Sequence, residues 1–349
     1  MNQLDENNFV SCDELHIGNT PRSIMTKGTS TRRKNRLLGS LYGNFDPGNS
    51  DKLMISYRRE RSHDYTMMGA CSVLFEGDIH FFGGFDYSSY YQTHDGDFTR
   101  QHFVIETQRS GQLIKMTKKD DLEIEFMNPS CSSFEITSEN FPWFKTNFII
   151  LCFGDSLTKS CYSFDGKLTY IGDSTYKHNH GGLTKYKGNL LTVGGYKNNQ
   201  KTEIMKKEEN KILQWSAVES DFNFTRGEWI CGHSLVTVES SDINEEYILL
   251  IGGYNDQWRI LKNVFKFTGN WFRFGKLNKR RYSHNSIYWN EAVSVIGGHY
   301  NSANKNTKIE IWNMKDFTYQ FKTEENWPEL LDWQLPHLFI VPDSFFPDY

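Results

Sequence analysis

The tightest constraint on this chain is an apolar, strand-like run closed by two glycines, because it recurs. Tyr247-Ile-Leu-Leu-Ile251 ends in Gly252-Gly253, and Asn189-Leu-Leu-Thr-Val193 ends in Gly194-Gly195. Ala292-Val-Ser-Val-Ile296 runs into Gly297-Gly298, and Asp78-Ile-His-Phe-Phe82 into Gly83-Gly84. Runs of this length suit buried strands, and paired glycines supply the backbone freedom for a sharp turn. Four copies in one context make an internal repeat, which constrains the fold more than any single motif.

A second marker keeps the same beat. His180, His233, His284 and His337 each open a short strand, at spacings of 51 to 53 residues. Beyond the glycines, Val264-Phe-Lys-Phe-Thr-Gly269-Asn-Trp271-Phe-Arg-Phe and Cys161-Tyr-Ser-Phe-Asp-Gly166-Lys-Leu168-Thr-Tyr read as strand, turn, strand. Each unit therefore holds about four strands in about 50 residues. With the glycine pair followed by a strand aromatic (Phe265 or Trp312), and Trp271 in a last strand, the chain resembles the Kelch-repeat β-propellers from about residue 67 onward. The resemblance implies a ring of four-stranded antiparallel blades and adaptor-type binding, including substrate recognition for ubiquitin ligases in relatives with BTB or F-box domains. The 36 residues before the first strand are too few for such a domain.

Units start near 69, 131, 180, 233 and 284. Leu37–His63 lacks a glycine pair, and His337-Leu-Phe-Ile begins a unit that never finishes. The expectation is that 37–66 and 337–349 share one closing blade, which removes exposed edge strands. The count is then six blades, with five or seven as alternatives. The third unit is irregular, with Gly154-Asp155 where a pair belongs. Residues 1–36 read as a flexible arm, basic between Thr20 and Arg36, with nuclear localisation or anion binding as the sharper reading.

Composition excludes several classes. Net charge is −4, from 39 basic and 43 acidic residues, so nothing points to nucleic acid. No run approaches the ~18 apolar residues of a membrane span. No secretory leader is visible, and six cysteines without a C-x-x-C pair read as free core thiols in a reducing compartment. The expectation is a monomeric cytoplasmic or nuclear propeller, or a secreted one if a leader is missing.

Three chemical readings compete. Ile149-Ile-Leu-Cys-Phe-Gly154-Asp155-Ser156-Leu157 resembles the nucleophile block of the GDSL hydrolases, which would make Ser156 an esterase nucleophile. That family's Asp-x-x-His follows the serine, whereas here the spacing occurs at Asp13 and His16, before it. A metal shared by the repeated histidines is excluded, since blade-equivalent positions lie ~10 Å apart and zinc needs ligands at ~2 Å. His94-Asp95-Gly96-Asp97 reads as a solvated loop, and no Kelch copper-oxidase ligand set maps onto this chain. No metal and no cofactor is expected.

The third reading is a binding surface. The loops from strand two to three, and from strand four to the next blade, open on one face. They carry Arg58, Arg59, Arg61, Tyr90, Arg100, Arg226, Tyr254, Trp258, Arg259, Arg280, Arg281 and Tyr300. Exposed Arg, Tyr and Trp anchor interfaces. The expected function is a non-enzymatic module binding a protein or peptide, acidic or phosphorylated. The alternatives are an esterase using Ser156 and an extracellular carbohydrate-binding propeller, for which Asn223-Phe-Thr225 would be a glycosylation sequon.

Overall fold

An apolar run such as Tyr247–Ile251 has no polar side to offer water, so it must be covered on both faces. The computed structural model shows how. It describes residues 24–25, 39–43, 52–57, 68–85, 100–106, 115–135, 147–155, 157–195, 199–207, 213–220, 222–240, 245–300, 308–314, 321–324 and 337–341. All the regular structure among them is β.

In chain order, β1 (Ile24–Met25), β2 (Gly39–Gly43) and β3 (Lys52–Tyr57) come first. A complete antiparallel sheet follows in β4 (Met68–Phe75), β5 (Asp78–Phe85), β6 (His102–Glu106) and β7 (Lys115–Lys118). The next is β8 (Ser130–Glu135), β9 (Asn147–Cys152), β10 (Ser160–Phe164) and β11 (Leu168–Asp173). Then come β12 (Gly182–Tyr186), β13 (Asn189–Gly195), β14 (Asn199–Lys207), β15 (Leu213–Ala217) and the short β16 (Ile230–Cys231). β17 (Ser234–Ser240), β18 (Glu245–Ile251), β20 (Asn263–Phe267) and β21 (Trp271–Lys276) form another sheet, with the short β19 (Tyr254–Asn255) looping out. Last are β22 (Asn285–Trp289), β23 (Ala292–Ile296), β24 (Ile309–Asn313), β25 (Lys322–Glu324) and β26 (His337–Val341).

The core lies between sheets. Alternate residues of β18 face opposite neighbours, as the two-residue strand period requires. Ile248 and Leu250 pack with Leu191, Val193 and Phe265, whereas Leu249 and Ile251 pack with Val236, Val293 and Trp312. Outer strands instead show water on one side: β11 and β21 share the same pattern of one buried residue followed by two exposed ones. Contacts run from β4 to β8, β12, β17, β22 and β26 and back to β4, which closes an all-β propeller. β26 pairs with β3, so strands from both ends of the sequence share the sheet β1-β2-β3-β26.

The expected blade number is corrected. Five sheets, not six, are four-stranded, so the regular ring counts five four-stranded blades. Strands β12 to β15 belong to a six-stranded sheet that runs on into β16 and β19. The cause is local: Gly195 at the end of β13 pairs with Ile230, and β16 then pairs with β19. A repeat read along the chain shows strands per unit, not hydrogen bonds that cross between units.

Two further expectations change. Ile24 and Met25 pair with Tyr42 and Leu41, inside the stretch read as a flexible arm. The cysteines are not all free: Cys71–Cys131 joins β4 to β8 in the neighbouring sheet, and Cys152–Cys161 joins paired strands β9 and β10. Their partners lie 60 and 9 residues apart, separations that no C-x-x-C pattern marks. Cys231 is a buried free thiol, pushed up to about 12 by its burial.

Candidate binding face

The face is set by backbone that only glycine adopts easily. The pairs are left-handed, with φ of +67° and +138° at Gly194 and Gly195 and +62° and +93° at Gly252 and Gly253. Their second N–H groups reach the next unit: Gly84 donates to the Phe126 carbonyl and Gly253 to the Arg281 carbonyl, both at 2.9 Å. A Cβ on Gly252 would lie 2.6 Å from the Arg281 oxygen and 2.8 Å from the His284 ring. His284 and His233 thus pack against the preceding glycine pair. Burial drives His233 down to about 3, and burial with the nearby Arg281 charge drives His284 well below the usual range. Both are neutral spacers near pH 7. Gly83, Gly297 and Gly298 are left-handed as well.

Two repeat assignments shift by one residue. His180 has φ +58°, matching Asn128, Gly232 and Ser283 at +51°, +62° and +50°, each just before the residue that leads into an inner strand. His180 is therefore equivalent to Gly232 and Ser283, and Gly181 takes the place held elsewhere by His233 and His284. In the third unit the left-handed first position belongs to Phe153, at +63°, so Phe153-Gly154 stands for the pair and Asp155 lies beyond it. Equivalence between units follows backbone conformation rather than side-chain type.

The segments leading into β22 and β12 are each pinned to the third strand of the same unit. The Glu310 carboxylate accepts N–H bonds from Asn278 at 2.5 Å and Lys279 at 3.2 Å, and meets the Arg281 guanidinium at 2.6 Å. Arg281 also donates to the Gly297 and Lys308 carbonyls, at 3.1 and 3.2 Å. Glu203 repeats the motif, accepting from Thr175 and Tyr176 at 3.0 Å each and meeting His178 Nε2 at 2.8 Å. Arg281, Glu310, His178 and Glu203 are all fully buried. Arg281 is thereby removed from the expected binding set: it is the anchor of its sheet, not a surface cation. Neither glutamate figured in the sequence reading, although an acidic residue inside Lys-Ile-Glu310-Ile-Trp and Lys-Thr-Glu203-Ile-Met is a local conflict that signals a buried role.

Beside this anchor the face is aromatic. Trp258 is 68% exposed at the tip of a turn, its ring stacked on Tyr254 with centroids 5.2 Å apart and planes 10° from parallel. Tyr254 meets Tyr282 and Trp229 edge to face at 5.0 and 5.6 Å, and Tyr282 stacks on His299 at 5.3 Å. The turn is held by buried Asn255, whose side-chain oxygen accepts the N–H groups of Gln257 and Arg259 at 3.1 and 2.9 Å. Burial raises the Tyr282 hydroxyl above its ordinary value, so the ring stays uncharged.

A polar cluster lies at the next joint round the ring. Asp155 meets His180 Nε2 at 2.9 Å and accepts from Asn128 and Asn179 at 2.9 and 3.4 Å. Burial alone would raise the Asp155 carboxyl, but the bond and charge of His180, with the two amides, hold it below the usual range.

Of the residues expected on the face, the structure exposes Trp258, Arg226, Arg259 and Arg280, and half-buries Tyr254 and Tyr300. Arg100 is exposed and paired with Glu125 at 3.2 Å. Arg58, Arg59, Arg61, Tyr90, Ser156 and the His337 side chain lie outside the described residues. Among the described residues no group of three His, Cys, Asp or Glu could hold a metal, and no helix is long and apolar enough to cross a membrane.

No family model matches this chain, and no curated protein matches it. The solved structure of YjhT matches with a TM-score of 0.57 at 12% identity, covering 82% of this chain and 94% of that one. At that identity the likeness shows the β-propeller fold, while the narrower Kelch resemblance rests on the repeat alone. The expectation of a non-enzyme is corrected as well: the likeness to YjhT is one of fold, and a propeller fold does not exclude catalysis.

Proposed function

We propose that this propeller binds a carbohydrate on the aromatic face around Trp258. The carrying observation is the platform itself: one face of Trp258 rests on Tyr254 while the side chain is 68% exposed. A sugar ring presents an apolar C–H face that packs on an aromatic ring while its hydroxyls stay wet, the same duality that places Trp and Tyr at interfaces. The Asn255-braced turn orders the platform before ligand arrives, which lowers the entropy lost on binding. The two disulfides support an oxidising compartment, where glycans are met.

Binding to an array of immobilised glycans tests this, with Trp258→Ala as the variant. Loss of about tenfold in affinity at an unchanged melting temperature is expected, in line with removal of one central anchor. A wild type that binds no glycan, or a variant that binds as well, refutes the proposal. The exposed Arg226, Arg259 and Arg280, which neighbour the platform in sequence, favour a second reading in which an acidic or phosphorylated peptide docks there. A phosphopeptide array bound by the wild type and lost in Trp258→Ala would select it.

A further inference from the structure

The joint between the β8–β11 sheet and β12 departs from the repeat. Tyr254 and His299 follow two of the other glycine pairs, whereas Asp155 follows this one; Gly232 and Ser283 take the left-handed position elsewhere, whereas His180 takes it here. Phe153 adds a bulky residue in the same left-handed region, where side chains other than glycine are strained. The result is an imidazole and a carboxylate 2.9 Å apart, with side chains 36% and 22% exposed. Another imidazole–carboxylate pair among the described residues, His178 with Glu203, is 0% exposed on both sides and serves only as an anchor. Strained backbone that holds a polar, hydrogen-bonded pair open to solvent is a pattern of functional sites.

We propose that Asp155 and His180 form an acid–base pair that hydrolyses a carboxylic ester. Asp155 is the positioning residue. Its Oδ1 takes the His180 Nε2 bond, and Asn128 and Asn179 fix the carboxylate, which sets the ring's orientation and tautomer. With Nε2 turned to Asp155, proton exchange falls to Nδ1. His180 takes a proton from water as the water oxygen bonds to the ester carbonyl carbon. The tetrahedral adduct then breaks its bond to the alkoxide, which takes that proton back from the imidazolium. One ester and one water give one acid and one alcohol, with no further reactant, and the Asp155 carboxylate balances the charge while it lasts. Ser156 follows Asp155 in sequence, but the step does not require it. The step does not depend on the carbohydrate reading.

Hydrolysis of p-nitrophenyl acetate by the full chain decides the matter. The wild type should exceed the buffer rate, and His180→Gly should lose about a hundredfold of that excess, the scale of general base catalysis. Glycine suits the left-handed backbone, so the variant should fold, as a matched melting curve would show. Added imidazole should restore the rate of His180→Gly by more than it raises that of the wild type. Asp155→Asn should lower kcat less than His180→Gly does, with little change in KM, as expected of a residue that only positions the base. A wild type no faster than buffer, or a His180→Gly variant as fast as the wild type, overturns the proposal. So does a folded His180→Gly whose loss imidazole cannot restore, since that assigns His180 to tying the sheets together.

Discussion

The same structural problem is solved twice with charge and twice with oil. In four units the segment leading into the inner strand is held against the third strand. In the β8–β11 sheet the pin is Phe126 against Tyr162, edge to face at 5.8 Å; in the β17–β21 sheet it is Ile230 with Phe265, within one apolar cluster. In the two sheets that follow these, the pins are His178–Glu203 and Arg281–Glu310. Position, not chemistry, is what the fold requires. The apolar pins depend on area removed from water. The charged pins gain direction, because one carboxylate also collects two backbone N–H groups that the turning chain would otherwise leave unpaired. The cost is desolvation, which makes a broken charged pin worse than a trimmed apolar one.

The two charged pins differ in turn. A guanidinium has no neutral form to fall back on, whereas an imidazole does. Arg281→Met should therefore have the largest effect, leaving Glu310 buried without its cation at about 3–5 kcal/mol, read as a lower urea midpoint. An Arg281→Met midpoint within error of the wild type would show that the ion pair contributes no more than an apolar pin.

Glu203→Gln should cost less, about 1–3 kcal/mol, because the amide oxygen can still accept one of the backbone bonds. It should also change the acid response. Burial would raise the Glu203 carboxyl, but His178 and the Tyr176 and Thr175 N–H groups hold it below its ordinary value. A depressed carboxyl contributes stability that is present above its unfolded value and is lost as pH falls through the lowered folded one. His102 and His233, lowered by burial to about 4 and about 3, act in the same direction. They stay neutral in the fold but take up a proton on unfolding once pH drops below the ordinary 6.5, so their share declines from there toward those values. Urea midpoints between pH 7 and pH 3 should fall in both proteins, with the wild type falling more steeply in the carboxylate range. Parallel curves throughout would remove Glu203 from the acid response.

The smallest effect belongs to Arg280. It is exposed beside the buried Arg281, so Arg280→Ala should shift stability by no more than about 0.5 kcal/mol. The contrast between adjacent arginines is the sharpest test of the pin: similar midpoints for Arg280→Ala and Arg281→Met would dissolve it.

Much of this was readable along the chain because it repeats. The central strands announce themselves as unbroken apolar runs, since sheets cover them on both sides, and the glycine pairs mark turns whose left-handed backbone excludes most side chains. The errors share one origin. His180 was aligned by side chain with His233 and His284, and Arg281 was grouped with Arg280, because neighbours in sequence look alike whatever direction they point.

The order of strands, the two-residue alternation that divides Ile248 and Leu250 from Leu249 and Ile251, and the sharp glycine turns are local properties, so the sequence by itself determined them. Partners across the ring are not local. Which arginine Glu310 would bury, that Cys71 would meet Cys131, that Gly195 would extend one sheet into the next, and that Asp155 would face His180 all depend on side chains from separate units arriving at one point. That meeting is decided by close packing of neighbouring sheets, and only the tertiary structure contains it.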